Sequence, residues 1–263
     1  MSLIAHLSDL HLLAPRERAH TTMRMVSGGR AMDAEARLTK LRGAIAEGKR
    51  AGAKHFVFSG DLTEFGTTQQ FETLAETLAE AQLSSDEVTL IPGNHDLYRA
   101  DDGWTRAVEG PLSPWARGAA AEAGKVQPIE GAFVLPVDTS RHQNFALAAG
   151  FMTEALGDAL GKRLSDRALQ GAAVLLVVHH SPFMHKNAAW HWLNGLREQH
   201  HVLSLLEKHE NAHLLHGHLH RRVQSPVGKV ARPRVFGVPA VVNASGKRLR
   251  LYDVRDGALH EAD

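Results

Sequence analysis

The stretch that decides the fold lies at residues 88–96, which read VTLIPGNHD. Its first part is a short apolar run that is typical of a buried strand. Its second part, Gly93-Asn94-His95-Asp96, places an amide, an imidazole and a carboxylate directly after that strand. In open α/β sheets, functional sites form beyond the carboxyl ends of the strands. The stretch therefore predicts a strand that delivers polar side chains to such a site.

Four more short apolar runs end in a polar cluster of the same kind. These runs and their clusters are 3–7 with Ser8-Asp9-Leu10-His11, 55–58 with Gly60-Asp61-Leu62-Thr63-Glu64, 174–178 with His179-His180, and 213–215 with His216-Gly217-His218-Leu219-His220. Because each cluster follows a predicted strand, the folded sheets can bring all of them to one edge. Each cluster alone is an ordinary turn or a pair of buried histidines, but five in this position are not expected by chance.

The rest of the chain alternates between the two kinds of secondary structure. Helical periodicity predicts helices at 34–51, 67–81, 152–169 and 196–209, and further strands are predicted at 133–137, 234–242 and 248–254. This alternation predicts the α/β class. We expect a single domain over residues 1–263, with a strand-rich, antiparallel part from about residue 221.

Composition excludes several classes of protein. The 263 residues include 30 Lys and Arg against 29 Asp and Glu, so the near-zero net charge indicates neither a membrane surface nor a nucleic acid as partner. No cysteine is present, which excludes disulfides and thiolate metal sites. No apolar run approaches the roughly 20 residues of a membrane span. Without a basic-then-apolar leader, we expect a cytoplasmic protein.

The histidine content, 18 residues, is high and is concentrated in the polar clusters. Imidazole nitrogens, carboxylates and an amide oxygen are the donors that these clusters offer. This set suits manganese, iron or zinc better than calcium or magnesium alone. The clusters therefore predict a site for divalent metal ions.

With these blocks in this order, the sequence resembles the calcineurin-like metallophosphoesterase superfamily. The pattern of that superfamily is Asp-x-His, Gly-Asp, Gly-Asn-His-Asp/Glu, a strand-terminal His, and Gly-His-x-His, and its blocks are matched here between residues 9 and 220. The resemblance implies a four-layer αββα sandwich of two mixed sheets. It also implies two divalent metal ions (Mn²⁺, Fe²⁺/Fe³⁺ or Zn²⁺) at the sheet ends.

The resemblance further implies a role for each matched residue. The implied ligands are Asp9, His11 and His220 for the first metal, Asn94, His179 and His218 for the second, and Asp61 as a bridge between both. His95 matches the catalytic histidine that is not a ligand, and Asp96 matches the acid that orients it. His180 is the alternative to His179 for the strand-terminal ligand, and we take His179 because it follows the strand first.

A pair of metal ions about 3.5–4 Å apart forms a clamp for in-line attack on phosphorus by a metal-bridging hydroxide. The leaving group then needs a proton, which His95 is placed to supply. The motifs are most similar to those of bacterial class III cyclic-nucleotide phosphodiesterases, and the expected substrate is a small phosphodiester, with 3′,5′-cyclic and 2′,3′-cyclic nucleotides both open.

Two further functions in the same fold remain open at this point. One is hydrolysis of other phosphoesters, by a UDP-diacylglucosamine-type pyrophosphatase or a nuclease, although the pyrophosphatases usually carry arginine where His95 stands. The other is a catalytically silent interaction scaffold, which the intact histidine and ligand set disfavours.

Some residues outside the motifs are candidates for contact with substrate or with a second subunit. The long segment 12–30 follows the first ligands and carries Arg24 and Arg30, so it is a candidate specificity loop. His180 is a further candidate contact. The segment 183–192, which holds Trp190 and Trp192, could supply an aromatic side chain that stacks against a nucleotide base, or these tryptophans could pack against the scaffold. The strands predicted at 235–242 and 249–254 could supply the edge of a homodimer.

Overall fold

The chain is described from a computed structural model that covers residues 3–17, 21–100, 102–120, 125–243 and 246–262. The strands are β1 (Leu3–Leu7), β2 (Ala53–Ser59), β3 (Val88–Ile91), β4 (Gln127–Ile129), β5 (Ala132–Pro136), β6 (Gly150–Phe151), β7 (Ala173–Val177), β8 (Leu196–Arg197), β9 (Ala212–His216), β10 (Val223–Val227), β11 (Val230–Gly237), β12 (Arg250–Arg255) and β13 (Ala258–Ala262). The α-helices are α1 (Thr21–Val26), α2 (Ala34–Ala51), α3 (Thr68–Glu80), α4 (Gly103–Glu109), α5 (Glu154–Leu164), α6 (Ala188–Asn194) and α7 (His200–Lys208).

Two large mixed sheets form the centre of the molecule. The first has the order β13-β12-β1-β2-β3, and the second has the order β10-β11-β9-β7-β5-β4. In each sheet the central strands are parallel, and antiparallel strands are added at the sides. Parallel neighbours end at the same edge of a sheet, so the polar clusters that follow β1, β2, β3, β7 and β9 are brought together.

The buried residues divide into layers because side chains alternate across a strand. In β1, Ala5 and Leu7 pack with helix residues such as Leu41 of α2, whereas Ile4 faces the other way. Ile4 belongs to a cluster that also contains Leu175 of β7 in the second sheet. A third cluster joins the outer face of that sheet to α5 and α7. The order helix, sheet, sheet, helix confirms the predicted αββα sandwich.

The longer helices begin at side-chain caps. Asp33, Thr67 and Thr153 each accept a hydrogen bond from a backbone N–H in the first turn of α2, α3 and α5. Such caps satisfy N–H groups that have no partner within the helix. The prediction of a helix at 67–81 therefore included its own cap, and α3 starts one residue later.

Three predicted elements differ from the structure. The strand predicted at 234–242 ends at Gly237, since residues 238–242 cross to the first sheet and bond to the carbonyls of Ser8 and Asp9. The helix predicted at 196–209 starts at His200, because residues 196–197 pair with β6 and Glu198 has a positive φ. The helix predicted at 152–169 ends at Leu164, and a separate 3₁₀ turn follows.

The strands proposed as a dimer edge lie inside the sheets. β11 has β10 and β9 on its two sides, and β12 has β13 and β1. Both strands already bond to a neighbour on each side, so neither offers a free edge and that interpretation is wrong. A homodimer and a single domain both stay predictions.

Candidate active site

The polar clusters meet in groups that could each hold a metal ion. Within each group the donor atoms lie within 4.8 Å of one another, and the groups are Asp9, His11 and His220; Asp9, Asp61 and His179; His179, His180 and His218; and His11, Glu64 and His95. The groups share members, so they form one continuous centre. Residues more than two hundred positions apart contribute to it.

The carboxylate of Asp61 lies in the middle of this centre. Its Oδ2 atom is 3.4 Å from Nε2 of His179 and 3.7 Å from Nε2 of His11. Its Oδ1 atom accepts a hydrogen bond from the backbone N–H of His95, at 2.9 Å. One oxygen of Asp61 thus faces both histidine groups while the other is held by the backbone. This position fits a carboxylate shared between two ions.

Two histidines of the centre are oriented by backbone carbonyls. Nδ1 of His179 lies 2.8 Å from the carbonyl oxygen of Ser59, and Nε2 of His218 lies 2.8 Å from that of Asn194. A carbonyl only accepts, so each of these nitrogens carries the proton. In the neutral rings the lone pair is therefore on Nε2 of His179 and on Nδ1 of His218. This is the usual arrangement around histidines that bind metals.

Several buried donor atoms of the centre have no hydrogen-bond partner among the described residues. They are His11 Nδ1, Asn94 Oδ1 and His180 Nε2. Asp9 Oδ1 and His179 Nε2 meet other members of the centre, His220 at 3.1 Å and Asp61 at 3.4 Å. A buried polar atom without a partner is costly, and such atoms are rare in folded proteins. Ligation of a cation would satisfy atoms of this kind. The donor set, nitrogen and oxygen without sulfur, also fits divalent metals such as manganese, iron or zinc.

Backbone strain is concentrated at the same residues. Asp9, His11, Asp61, His218 and His220 all have positive φ angles, between 48° and 65°. Residues other than glycine rarely adopt this region, and they keep it where the surrounding structure imposes it. The strain indicates that the positions of these side chains are selected for function rather than for local stability.

Charges in the centre favour an ionised carboxylate surrounded by imidazoles. Burial alone would raise the pKa of Asp61, but the neighbouring histidines, His179 first, lower it well below its usual value. Burial lowers the pKa of His179, but the carboxylates of Asp61 and Asp9 outweigh it and raise the pKa to about 9. Burial, with the charge of His179, lowers the pKa of His218 to about 4. Because a metal binds neutral imidazole, His179 would release its proton when an ion binds.

His95 lies beside this centre at the bottom of an open cleft. Its Nε2 atom is 4.0 Å from Oδ2 of Asp61, and its Nδ1 atom is 2.8 Å from the backbone carbonyl oxygen of Glu64. Burial lowers the pKa of His95 below its ordinary value, against the opposite effect of nearby carboxylates. The cleft has a volume of about 870 Å³ and is lined by His95, Asp61, Asn94, His218 and His220 among others.

Comparison with known proteins identifies the family. The family model described as calcineurin-like phosphoesterase matches residues 2–222. The chain belongs to this family. Membership implies a metal-dependent hydrolase of phosphoesters. No significant match is found among curated proteins.

Solved structures of similar fold include proteins that are named for different activities. A dimetal phosphatase from Danio rerio has a TM-score of 0.69 at 14% identity, with 99% of this chain and 98% of that chain covered. The protein TT1561 of Thermus thermophilus has a TM-score of 0.59 at 15% identity, with 100% of this chain and 98% of that chain covered. The Thermus thermophilus sulfate thiohydrolase SoxB, in complex with glycerol, has a TM-score of 0.52 at 17% identity; 99% of this chain matches 56% of that one. At these identities the likeness concerns the fold.

The role predicted for Asp96 in this calcineurin-like phosphoesterase needs a correction. Its carboxylate accepts hydrogen bonds from the backbone N–H groups of Leu62, Thr63 and Gly93, at 2.8–3.0 Å, and from the hydroxyl of Thr63 at 2.7 Å. The Nδ1 atom of His95 is instead held by the backbone carbonyl oxygen of Glu64, at 2.8 Å. The interpretation that Asp96 orients His95 is therefore wrong. Asp96 holds together the turns that carry Asp61 and Asn94.

The three residues predicted to contact substrate lie in different environments. Arg30 lines the cleft of the phosphoesterase, and its Nη2 atom lies 3.5 Å from Nε2 of His95. Arg24 is exposed on α1 and is not among the residues that line the cleft. His180 is fully buried, with Nδ1 bonded to the hydroxyl of Thr139 and Nε2 beside the His179–His218 group. Arg30 thus lies where a substrate in the cleft could reach it, whereas His180 lies below the surface of the cleft. The substrate contacts of these residues stay predictions. Residues 18–20 of the candidate loop 12–30 lie outside the described residues.

Sequence reasoning missed three groups that complete the centre. The hydroxyl of Tyr98 accepts from the side-chain amide of Asn94 at 3.0 Å, and leaves the oxygen of that amide facing the site. The spacing of four residues between them was a usable signal. The carbonyl groups of Ser59 and Asn194 left no such signal, because every residue has a carbonyl.

No helix in the described part of the chain is long and apolar enough to cross a bilayer.

Proposed function

We propose that this protein hydrolyses small phosphodiesters at a centre of two divalent metal ions. The observation that carries the proposal is the position of Asp61, whose Oδ2 atom lies 3.4–4.0 Å from imidazole nitrogens of His179, His11 and His95. All three histidines belong to groups that could hold an ion, and His95 also lines the cleft. A bridging ligand, two ligand groups and an adjacent acid are thus combined in one place.

We propose one set of ligands for each ion. Asp9, His11 and His220 would hold one ion, and Asn94, His179 and His218 the other, with Asp61 shared between them. Ions bound there would neutralise charge on the phosphoryl oxygens and lower the pKa of a water molecule toward neutrality. The chain itself supplies fixed donors, because backbone carbonyls already hold the rings of His179 and His218.

The proposed role of His95 is proton transfer to the departing ester oxygen. Since Nδ1 donates to the carbonyl of Glu64, Nε2 is the atom that faces the cleft. Burial lowers the pKa of His95, and the protonated ring is then a stronger acid that releases its proton more readily. The guanidinium of Arg30, close to Nε2, would bind a phosphoryl oxygen of the substrate.

The finer proposal concerns the substrate. The motif blocks are most similar to those of class III cyclic-nucleotide phosphodiesterases, so we propose cyclic nucleotides, 3′,5′ or 2′,3′, as the first substrates to examine. The competing substrates are UDP-linked lipid pyrophosphates, nucleic-acid ends and phosphomonoesters. Parallel assays of these compounds with the metal-replete protein would separate the alternatives. Equal rates on all diesters would contradict the assignment to the cyclic-nucleotide branch.

The primary test is hydrolysis of bis-p-nitrophenyl phosphate with added Mn²⁺. The His95→Ala variant should lose about 100-fold or more in kcat, the usual range for a general acid, while it keeps its bound metal. His260→Ala, which changes an exposed histidine on β13, is the matched control and should keep full activity. Absence of turnover with Mn²⁺, Zn²⁺ and Fe²⁺ alike would contradict the proposed function and favour an interaction scaffold.

A further inference from the structure

The exposed large apolar side chains are gathered at one place. Among the described residues, the large hydrophobic side chains that remain about half exposed or more are Met25, Phe145, Met184, Trp190 and Trp192, with exposures from 46% to 68%. All of them except Trp192 line the cleft above the candidate metal centre. Single exposed apolar residues are normal, but a concentration around one cleft indicates a binding surface. We call Met25, Phe145, Met184 and Trp190 the apolar rim.

The rim is attached to the candidate metal centre through α6. Trp190 lies in this helix, whose first turn is capped by the side chain of Asn187. The carbonyl of Asn194, the last residue of α6, accepts the hydrogen bond from Nε2 of His218. The same short helix therefore presents Trp190 to the cleft and orients a proposed metal ligand. A group that stacks on Trp190 would be held at a defined place relative to the metal centre.

The segment that carries Phe145 is bonded to this helix as well. Phe145 lies in a turn closed by a hydrogen bond from the N–H of Leu147 to the carbonyl of Asn144, at 2.7 Å. After this turn, the N–H of Ala148 donates to the carbonyl of Leu193 at 2.8 Å. Phe145 and Trp190 thus belong to two segments that are joined by backbone bonds. The two aromatic rings form parts of one supported surface.

The charges around the rim favour an anionic ligand. Arg30, Lys186 and Arg221 line the cleft, and Asp61 at its base is the sole carboxylate among its described lining residues. A volume of about 870 Å³ lies in the range of sites for small organic molecules. The cleft therefore combines positive charge, an apolar surface and the size of a small ligand.

We propose that the apolar rim is a subsite for an aromatic ring carried by the second ester group of the substrate. This inference rests on the proposed diesterase function and adds the class of substrate. Two aromatic rings and two methionine thioethers are the side chains that pack well against a planar ring. Trp190 and Phe145 are each about half exposed, so part of each ring is accessible to a ligand in the cleft.

The test uses diesters that share one leaving group. The p-nitrophenyl phosphodiesters with methyl, octyl, phenyl and thymidine 5′-yl as second ester group all release p-nitrophenol. Differences in kcat/KM therefore report the second group, through its recognition and through its electronic effect on phosphorus. The electronic effect is the same in every variant, so a change of the ratio in a variant reports recognition. We expect the phenyl and thymidine compounds to exceed the methyl compound by about tenfold or more, the size of one stacking contact. A larger advantage for phenyl than for thymidine would identify a simple aryl ester, and the reverse a nucleoside.

Two tryptophans of α6 provide a matched pair of variants. In Trp190→Ala, the phenyl-to-methyl ratio of kcat/KM should fall about tenfold. Trp192→Ala removes a side chain of equal type and similar exposure that does not line the cleft, and the ratio should stay unchanged. Equal ratios for all four compounds, a preference for octyl over phenyl, or an equal effect of both variants would each overturn the subsite. Absence of turnover of every compound would instead contradict the proposed function itself.

Discussion

The backbone carbonyl oxygen of Glu64 accepts a hydrogen bond from Nδ1 of His95, with 2.8 Å between the two atoms. The side chain of Glu64 is itself buried and forms ion pairs with Arg37 and with Arg30, the latter at 3.0 Å. The residue that orients the proposed catalytic histidine is thus held by charged groups from the segment before α2 and from α2 itself. The chain uses a buried acid to hold a carbonyl in place.

Removal of Arg37 should destabilise the protein strongly. The guanidinium is buried and pairs with the fully buried carboxylate of Glu64. Arg37→Leu removes this pair and leaves Arg30 as the arginine partner of the buried charge. We expect the free energy of unfolding to fall by about 3–5 kcal/mol, as measured by urea denaturation. Arg42→Ala, which breaks the exposed pair with Glu80, should cost about 1 kcal/mol or less. Losses of equal size in the two variants would contradict the structural role of the buried pair.

Gly93→Ala should weaken metal binding. A Cβ atom at this position would lie 2.2 Å from Oδ1 and 2.3 Å from the backbone nitrogen of Asp61, so the proposed bridging carboxylate must move. Outer contacts that hold metal ligands are commonly worth 10–100-fold in affinity, and we expect a loss of about that size for Mn²⁺ by calorimetry. Gly246→Ala, where a Cβ meets open space, is the control. Unchanged Mn²⁺ affinity in Gly93→Ala would argue against Asp61 as a ligand.

Arg30→Ala should affect substrate binding more than the chemical step. Arg30 lines the cleft, whereas Arg24 in the same segment does not. Hydrogen bonds to charged groups are worth about 1.5–3 kcal/mol, so the KM for bis-p-nitrophenyl phosphate should rise about tenfold or more. We expect kcat to fall by a smaller factor, and Arg24→Ala to leave both constants unchanged. Identical kinetics of the two variants would remove Arg30 from the binding site.

Acid should reduce the contribution of Glu261 to stability. Burial would raise the pKa of its carboxyl, but hydrogen bonds from Arg250 and Arg222 lower it, from 4.5 to about 2. A carboxyl with a depressed pKa stabilises the fold above its unfolded pKa and loses this effect as pH falls from about 4.5 to about 2. Urea denaturation should therefore show Glu261→Gln to be less stable than the parent protein at about pH 7, with a difference that shrinks by about pH 3. A difference independent of pH would contradict this ion pair.

Local patterns in the sequence predicted the layers of the fold and the members of the site. The strand signal in 88–91 was readable because alternate residues pack on opposite faces of a sheet, which requires apolar residues throughout a strand buried on both sides. The residues just after the strands were readable as a site because parallel strands end at a common edge. The strand pattern and the polar residues that follow it are neighbours along the chain, so both can be recognised from a short stretch of sequence.

Contacts between distant segments could not be predicted in this way. Nothing local indicates that residues 238–242 leave their sheet to bond to Ser8 and Asp9, or that Phe145 and Trp190 line one cleft. The error on Asp96 has the same origin. Proximity to His95 along the chain suggested an interaction, but the direction of the turn sends the carboxylate toward the backbone of residues 62–63.

The sequence by itself determined the α/β layers, the family and the set of side chains that can bind metal ions, because these depend on residue type and on position relative to each strand. The tertiary structure decided how those side chains are oriented and what surrounds the cleft. Orientation comes from backbone carbonyls such as those of Glu64, Ser59 and Asn194. Every residue carries a carbonyl, so its role follows from the folded path of the chain and not from the identity of the residue.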